Sequence, residues 1–333
     1  LLIMRVIVGF AVGGDYPTSA IVSAEHANKK NRGLLVLMVF AMQAVGLIVG
    51  PLIASGLLSL HIPMEWVWRL LLGLGAIPAI SVFMLRRKLA ETPQFLASQK
   101  QEELKHQQRF AGSVAVDDLV RSKPSKRRRA ITFDPREVFA KYKYVLFGTA
   151  MSWFLFDIAF YGNSVSSVLI LKNLMPQATL VTKTLTTAAI FFVCALPGYI
   201  LAAKYVDTVG RRRMQILGFI MMAVCYLLMA ILNAHFTWFI VFFGISFFFV
   251  NFGPNATTFL IPSEVFPTSI RASAHGISAA AGKAGAFIGA FFMPVVLESL
   301  GLHGTFLIIA GICILGVVST LVLPEMTGKS LEL

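Results

Sequence analysis

The sequence predicts an all-α protein built into a membrane, and three observations carry that prediction. Hydrophobic residues fill 57% of the 333 positions and charged residues only 14%, where soluble domains carry about 25% charged. The apolar residues fall in continuous runs of about 20, the length a helix needs to cross a hydrocarbon layer roughly 30 Å thick. The runs lack the alternating segments of about ten residues that mark a membrane barrel. A mean hydropathy of +0.76 agrees.

Nine runs qualify as spans, near residues 1 to 24, 34 to 58, 66 to 87, 144 to 171, 184 to 205, 214 to 233, 236 to 261, 272 to 297 and 304 to 323. The chain opens at Leu1 inside the first run, without an initiator Met or a signal peptide, so the expectation is a piece of a longer chain that lacks earlier helices. The connection 88 to 143 is the one long soluble-like stretch. It carries KHQQRFAGS and SKPSKRRRA, then FDPREVFAKYKY, where Asp134 can cap and Pro135 can start a short amphipathic helix at the membrane surface. The expected organisation is three helices over 1–87, a linker over 88–143, six helices over 144–323 and a tail over 324–333. The KRRR run reads first as a solvated linker and second as a contact for a partner or an anionic lipid.

Charge follows topology. Alternate connections and the tail after Leu323 hold 24 of the 29 lysines and arginines, whereas the intervening loops hold only Lys172 and Lys183. The positive-inside rule then places the basic loops and the C-terminus in the cytoplasm, with the plasma membrane as the expected location. The net charge of +13 thereby belongs to the loops, and nucleic acid is set aside as a partner. Cys194, Cys225 and Cys313 all lie within runs, without metal spacing or a disulfide pattern, and read as packing residues. No metal or cofactor is expected. No nucleophile with a base lies in the spans, which argues against an enzyme. A monomer is the default expectation.

The chemistry concentrates in MSWFLFDIAFYGN, residues 151 to 163. Trp153 and Tyr161 flank Asp157 at four residues on either side, so all three share one face of a helix. A charge facing lipid at mid-membrane costs about 2.5–3.5 kcal/mol on insertion scales, which turns that face toward a protein-lined cavity. Lys283, within AAAGKAGAFIGA, is the cation at mid-depth on the same side of the chain. Its small neighbours suit close helix packing.

A weak repeat supports two related halves. SAEHANKKNRG and PSEVFPTSIRAS each place an arginine seven residues after a glutamate, as Glu25 with Arg32 and Glu264 with Arg271. The same shift of 239 places Tyr16 on Asn255 and Gln43 on Gly282, beside Lys283. Duplicated halves with a site between them are how many transporters are built.

With these motifs the chain resembles the major facilitator superfamily over that fold's fourth to twelfth helices, and within it the phosphate:proton symporter family. DTVGRRR at 207–213, RVIVGFAVGGDYP at 5–17 and PEMTGKSLE at 324–332 are general signatures; GGDYP with Gln43, WFLFDIAFYGN, and NFGPNATTF followed by Lys283 are the specific ones. LAETPQF at 89–95 departs from the usual ending, with Gln94 in place of arginine. The resemblance implies inorganic phosphate and protons as partners. It also implies phosphate ligands at Tyr16, Gln43, Trp153, Asp157, Tyr161 and Asn255 with Lys283 beside them. Asp157 is the acid whose protonation admits the anion, and Asp15, expected to be buried, is a second acid on the proton route.

Plainer readings stand beside these. Asp157 can pair with Lys283 or Arg5 as a structural ion pair, and Asp15 with Arg5 or Arg69. Trp153 and Tyr161 can simply pack, and Gln43 and Asn255 can be interhelical hydrogen bonds of about 1 kcal/mol. Gly13, Gly14, Pro17, Pro51 and Pro254 are expected to relax their helices. Another organic-anion, glycerophosphodiester or sugar porter, or a sensor that moves nothing, are the competing functions.

Overall fold

The computed structural model describes residues 2–28, 30–86, 140–165, 167–232 and 236–329, with positions 96, 99, 100, 103 and 104 between them. Asp134, Pro135, the KRRR run and LAETPQF lie outside the described residues. Among the described residues the order is α1 (Leu2–His26), α2 (Arg32–Ser59), α3 (Met64–Arg86), α4 (Lys143–Val165), α5 (Ser167–Leu174), α6 (Leu180–Ile190), a π turn (Phe191–Ala195), α7 (Leu196–Val209), α8 (Arg211–Ile231), α9 (Phe236–Phe252), α10 (Pro254–Val265) and α11 (Thr268–Leu321). None of these residues is in a strand.

Eight stretches of the described residues are long and apolar enough to cross a membrane. The last, Ile270–Leu321, has 52 residues, about 78 Å of helix against a hydrocarbon layer of about 30 Å. It is broken at Gly301, whose φ of 65° and ψ of −171° suit a residue without a Cβ. Two crossings therefore lie in α11, which is compatible with the nine expected. The expected fifth run is α6, the π turn and α7 in one line, and the seventh is α9 and α10 divided at Gly253.

Helix relaxation occurs at different places from those expected. α1 continues through Gly13, Gly14 and Pro17, and α2 continues through Pro51. A proline removes one N–H, and a long apolar helix in lipid keeps its remaining bonds because nothing else satisfies them. Pro254 does follow a break, at Gly253, and occupies the first position of α10, where its missing N–H costs nothing.

α4 packs on α11 through small residues. A Cβ added to Gly282 would meet the Trp153 ring, one at Gly285 the Phe154 carbonyl oxygen, and one at Gly289 the Ile158 carbonyl oxygen. Glycine there lets the two backbones touch, which is how helices associate where both the lipid and the partner are apolar. α1 and α2 lean on the later helices, α1 on α11 and α2 on α6 and α7. The main core runs through both groups, from Ala20, Val36 and Phe40 to Phe160, Tyr199 and Phe259.

Candidate functional site

Five expected residues meet where α1, α4 and α11 converge. Trp153 and Asp157 are each 2% exposed on α4, with Tyr161 half-buried one turn further along the same face. Asp157 pairs with Lys283, not Arg5: the ammonium donates to Oδ2 at 3.3 Å and to the Tyr161 hydroxyl at 3.3 Å. The same ammonium lies 4.9 Å from the Tyr161 ring centre and 5.3 Å from that of Tyr16. Cations over ring faces are attracted by the ring's electron density. Tyr16 brings α1 to this cluster, its ring 5.8 Å from Trp153 and 5.0 Å from Phe259.

A second cluster joins α2, α7, α9 and α10. The Gln43 carbonyl oxygen accepts from the Tyr199 hydroxyl at 2.6 Å and from the Asn255 amide at 3.2 Å. Asn255 also donates to Tyr199 at 2.6 Å and to Asn251 at 2.7 Å. With its oxygen held twice, Gln43 keeps its two amide protons for the cavity it lines. Asn255 is 3% exposed and turned to protein partners, so its amide faces these neighbours rather than open space. Phe40 and Phe259, stacked at 4.6 Å, form the wall between the clusters. A cavity of about 720 Å³ opens onto both, lined by Asp15, Tyr16, Gln43 and Tyr161 among others.

Asp15 differs from its expected burial. It is exposed on α1, because neighbouring positions on a helix point about 100° apart and Tyr16 takes the packed face. It accepts from the Ser19 hydroxyl at 3.5 Å and faces the cavity. Sequence reasoning also missed Tyr199 and His275. Tyr199 sits in an apolar run, LPGYILAAKY, where a lone tyrosine reads as packing; its signal was a polar tip at mid-run, as in Tyr161. His275 is fully buried between the rings of Trp153 and Phe259, 5.6 Å from each, with Nε2 3.1 Å from the Phe259 carbonyl oxygen.

At the end of the bundle that carries the basic connections, the repeated Glu and Arg positions pair crosswise. Arg32 on α2 donates to Glu264 on α10 at 2.7 Å, and Arg271 on α11 donates to Glu25 on α1 at 2.8 Å. Each glutamate of one repeat thus holds the arginine of the other. Glu264 also accepts from Arg211 at 2.9 Å, and Arg211 pairs with Asp207 at 2.6 Å. Asp207 caps the start of α2 by accepting from the backbone of Gly33 at 3.1 Å and Leu34 at 2.9 Å. A side chain at Gly33 would collide with it, since an added Cβ falls 2.6 Å from Oδ1. The arginines and glutamates are at most 4% exposed, so each buried charge has its counter-charge. These pairs clamp α1 and α2 to the later helices at that end.

The whole chain, residues 1–333, matches the family described as sugar (and other) transporter. The chain belongs to that family of the major facilitator superfamily. Its relatives in this transporter family include the probable inorganic phosphate transporter 1-6 of Arabidopsis thaliana, 34% identical over the full chain and 72% of that protein. The probable inorganic phosphate transporter 1-8 of Oryza sativa subsp. japonica is 33% identical, again over the full chain and over 70% of the relative. The low affinity inorganic phosphate transporter 3 of Petunia hybrida is 32% identical, with 71% of it covered. Among solved structures, the proton:xylose symporter XylE bound to 6-bromo-6-deoxy-D-glucose superposes with a TM-score of 0.72 at 20% identity, covering 94% of this chain and 68% of that one. The shared fold of this transporter family thus extends across both clusters and the ion-pair clamp.

Proposed function

We infer that the protein carries inorganic phosphate across a membrane together with protons, by alternating access of two helical bundles, 1–87 and 144–323. The observation that carries this reading is the Asp157 and Lys283 pair, set among Tyr16, Trp153 and Tyr161 beside a cavity. Relatives named as inorganic phosphate transporters over the full chain support the choice of anion. A sugar site works with neutral amides and aromatic rings; a buried acid with a lysine suits an anion that arrives with a proton.

The residues divide the work. Ionised Asp157 holds Lys283 and repels an oxyanion placed near it, because like charges a few ångström apart interact strongly where water is scarce. A proton on Asp157 removes that repulsion and releases the ammonium to the phosphate oxygens. The hydroxyls of Tyr16 and Tyr161, the Trp153 indole and the Gln43 amide add donors without adding charge. Binding is reciprocal: a proton that favours phosphate is itself favoured by phosphate, which is symport stated as linkage. Asp15, facing the cavity, is the exposed acid on the proton's way to Asp157. The clamp at the basic end describes a state closed to the side where those loops lie. The positive-inside asymmetry supports reading that side as the cytoplasm of a cell membrane, with the C-terminal tail on it.

The test is accumulation of labelled phosphate in proteoliposomes carrying the protein, with and without an uncoupler. Uptake above equilibrium that collapses with the uncoupler is expected, and Asp157→Asn should abolish accumulation while leaving phosphate exchange measurable. Uncoupler-insensitive accumulation, or wild-type accumulation by the variant, overturns the reading; xylose uptake in place of phosphate favours a sugar porter.

A further inference from the structure

On the far side of Tyr199 from Gln43's cavity-facing amide, a groove of about 580 Å³ runs between α2 and α7, the two helices that the clamp joins at the basic end. Lys30, Asn31, Leu34, Met38 and Ala41 line one wall, a single stripe of α2 preceded by its leading turn. Leu196, Tyr199, Ile200, Ala203 and Lys204 line the other. Polarity is graded along it: Lys30 and Lys204 stand toward the basic end, and the walls become apolar inward. From Lys30 to Ala41 the groove runs about 16 Å along the chain's rise, close to the thickness of one leaflet's hydrocarbon, half of about 30 Å. Met38 is 57% exposed and Ile200 56%, so its apolar edges open outward. Tyr205, beside Lys204, is 39% exposed with the lysine ammonium 5.4 Å from its ring centre, the pairing of tyrosine and lysine typical of headgroup depth.

The groove contains one acid, Asp207. Its charge is already met by Arg211 and by two backbone amides of α2, and among the described residues neither Lys30 nor Lys204 has an ion pair, which leaves them as the positive charges at the mouth. We propose that an anionic glycerophospholipid of the leaflet on the basic side docks here, its phosphate between Lys30 and Lys204 and one acyl chain along Met38, Ala41, Leu196 and Ile200. Such a lipid bridges helices from the two groups that must separate during transport. Its chain ends against Tyr199, whose hydroxyl holds Gln43 and Asn255. The lipid is therefore a ligand of the state in which the basic end is closed, and it favours that state by mass action.

Native mass spectrometry of the purified protein, titrated with phosphatidylglycerol or with phosphatidylcholine of the same chains, tests this. One phosphatidylglycerol per chain is expected, retained at a concentration about thirtyfold lower than phosphatidylcholine, since each lysine at a membrane surface contributes about fivefold. The exposed pair Lys30→Gln and Lys204→Gln should erase that preference without touching the core. Met38→Trp, which fills the groove and leaves the charges, should release the lipid as well. Equal retention of the two lipids, undiminished retention by the lysine variant or by Met38→Trp, or competition by glycerol phosphate as effective as by the lipid would each overturn the proposal.

Discussion

Asp157 is sealed from solvent while its partner is not: the carboxylate side chain is 2% exposed and that of Lys283 46%. The lysine side chain is therefore free to turn toward a ligand, whereas the acid must stay where α4 holds it. Lys283→Met should raise the KM for phosphate by about tenfold or more and end accumulation, because the bare carboxylate is buried without a counter-charge. Lys283→Arg should recover part of the affinity, its planar fork fitting two oxygens but not the space of an ammonium. Equal KM values for the methionine variant and the parent would show that Lys283 does not meet the anion. Tyr199→Phe isolates the second cluster. It removes one hydrogen bond each from Gln43, which keeps Asn255, and from Asn255, which keeps Gln43 and Asn251, a net loss of about 0.5–1.5 kcal/mol, read as a lower thermal midpoint. The first cluster was visible in sequence, because Trp153, Asp157 and Tyr161 keep helical phase and Lys283 is the mid-depth cation of its side. Tyr199 was not, since nothing in a run of apolar residues says which tyrosine has an amide opposite it.

Helix positions follow from run length, for a chain in lipid must satisfy its backbone within each crossing and can do so only as helix. What run length leaves open is how closely two helices approach. Along α4 and α11 that distance is decided by glycines, and one of them makes a sharp test. A Cβ at Gly285 would meet the backbone oxygen of Phe154, which cannot rotate away, whereas one at Gly9 has no atom within 4 Å. Gly285→Ala should therefore force α4 from α11, part Asp157 from Lys283, and cost about 1–3 kcal/mol as overpacking does. Gly9→Ala should be neutral or gain up to about 1 kcal/mol, alanine being the better helix former. Thermal midpoints of the two variants decide it: equal midpoints would mean that the contact is not tight. The expected loosening at Pro17 and Pro51 failed for a related reason. A proline alone does not break a helix whose neighbours hold it straight, while glycine at 253 and 301 permits the turn.

At the scale of the molecule, the basic end is secured twice. The first device is the tail, where Glu325 accepts from the backbone of Arg211 and Arg212 at 3.0 Å each and from the Thr327 hydroxyl at 2.6 Å. Burial pushes its carboxyl up, but the hydrogen bonds from Thr327, Arg211 and Arg212 outweigh burial and hold it below the ordinary 4.5. A carboxyl lowered on folding stabilises the fold above its unfolded pKa, and that contribution is lost as pH falls through the lower, folded one. The gap in thermal midpoint between parent and Glu325→Gln should be constant from pH 7 to about 5 and close in more acid solution; an unchanging gap would sink the assignment.

The second device is the crosswise pair of repeats. The sequence repeat named Glu25, Arg32, Glu264 and Arg271 by their spacing and left their partners open. The structure pairs them across the two repeats, Arg32 with Glu264 and Arg271 with Glu25. If Glu25 and Arg271 join the two helix groups during the transport cycle, Glu25→Arg alone sets two buried cations together and should lower phosphate uptake at least tenfold, like charges at short range in a poorly hydrated site being costly. Adding Arg271→Glu restores opposite charges across the same gap. It should return most of the uptake, though not all, since Arg271 also donates to the Phe266 carbonyl at 2.9 Å and a glutamate cannot. Uptake by the double variant as low as by the single one would mean that the pair serves folding and not the closing of this end.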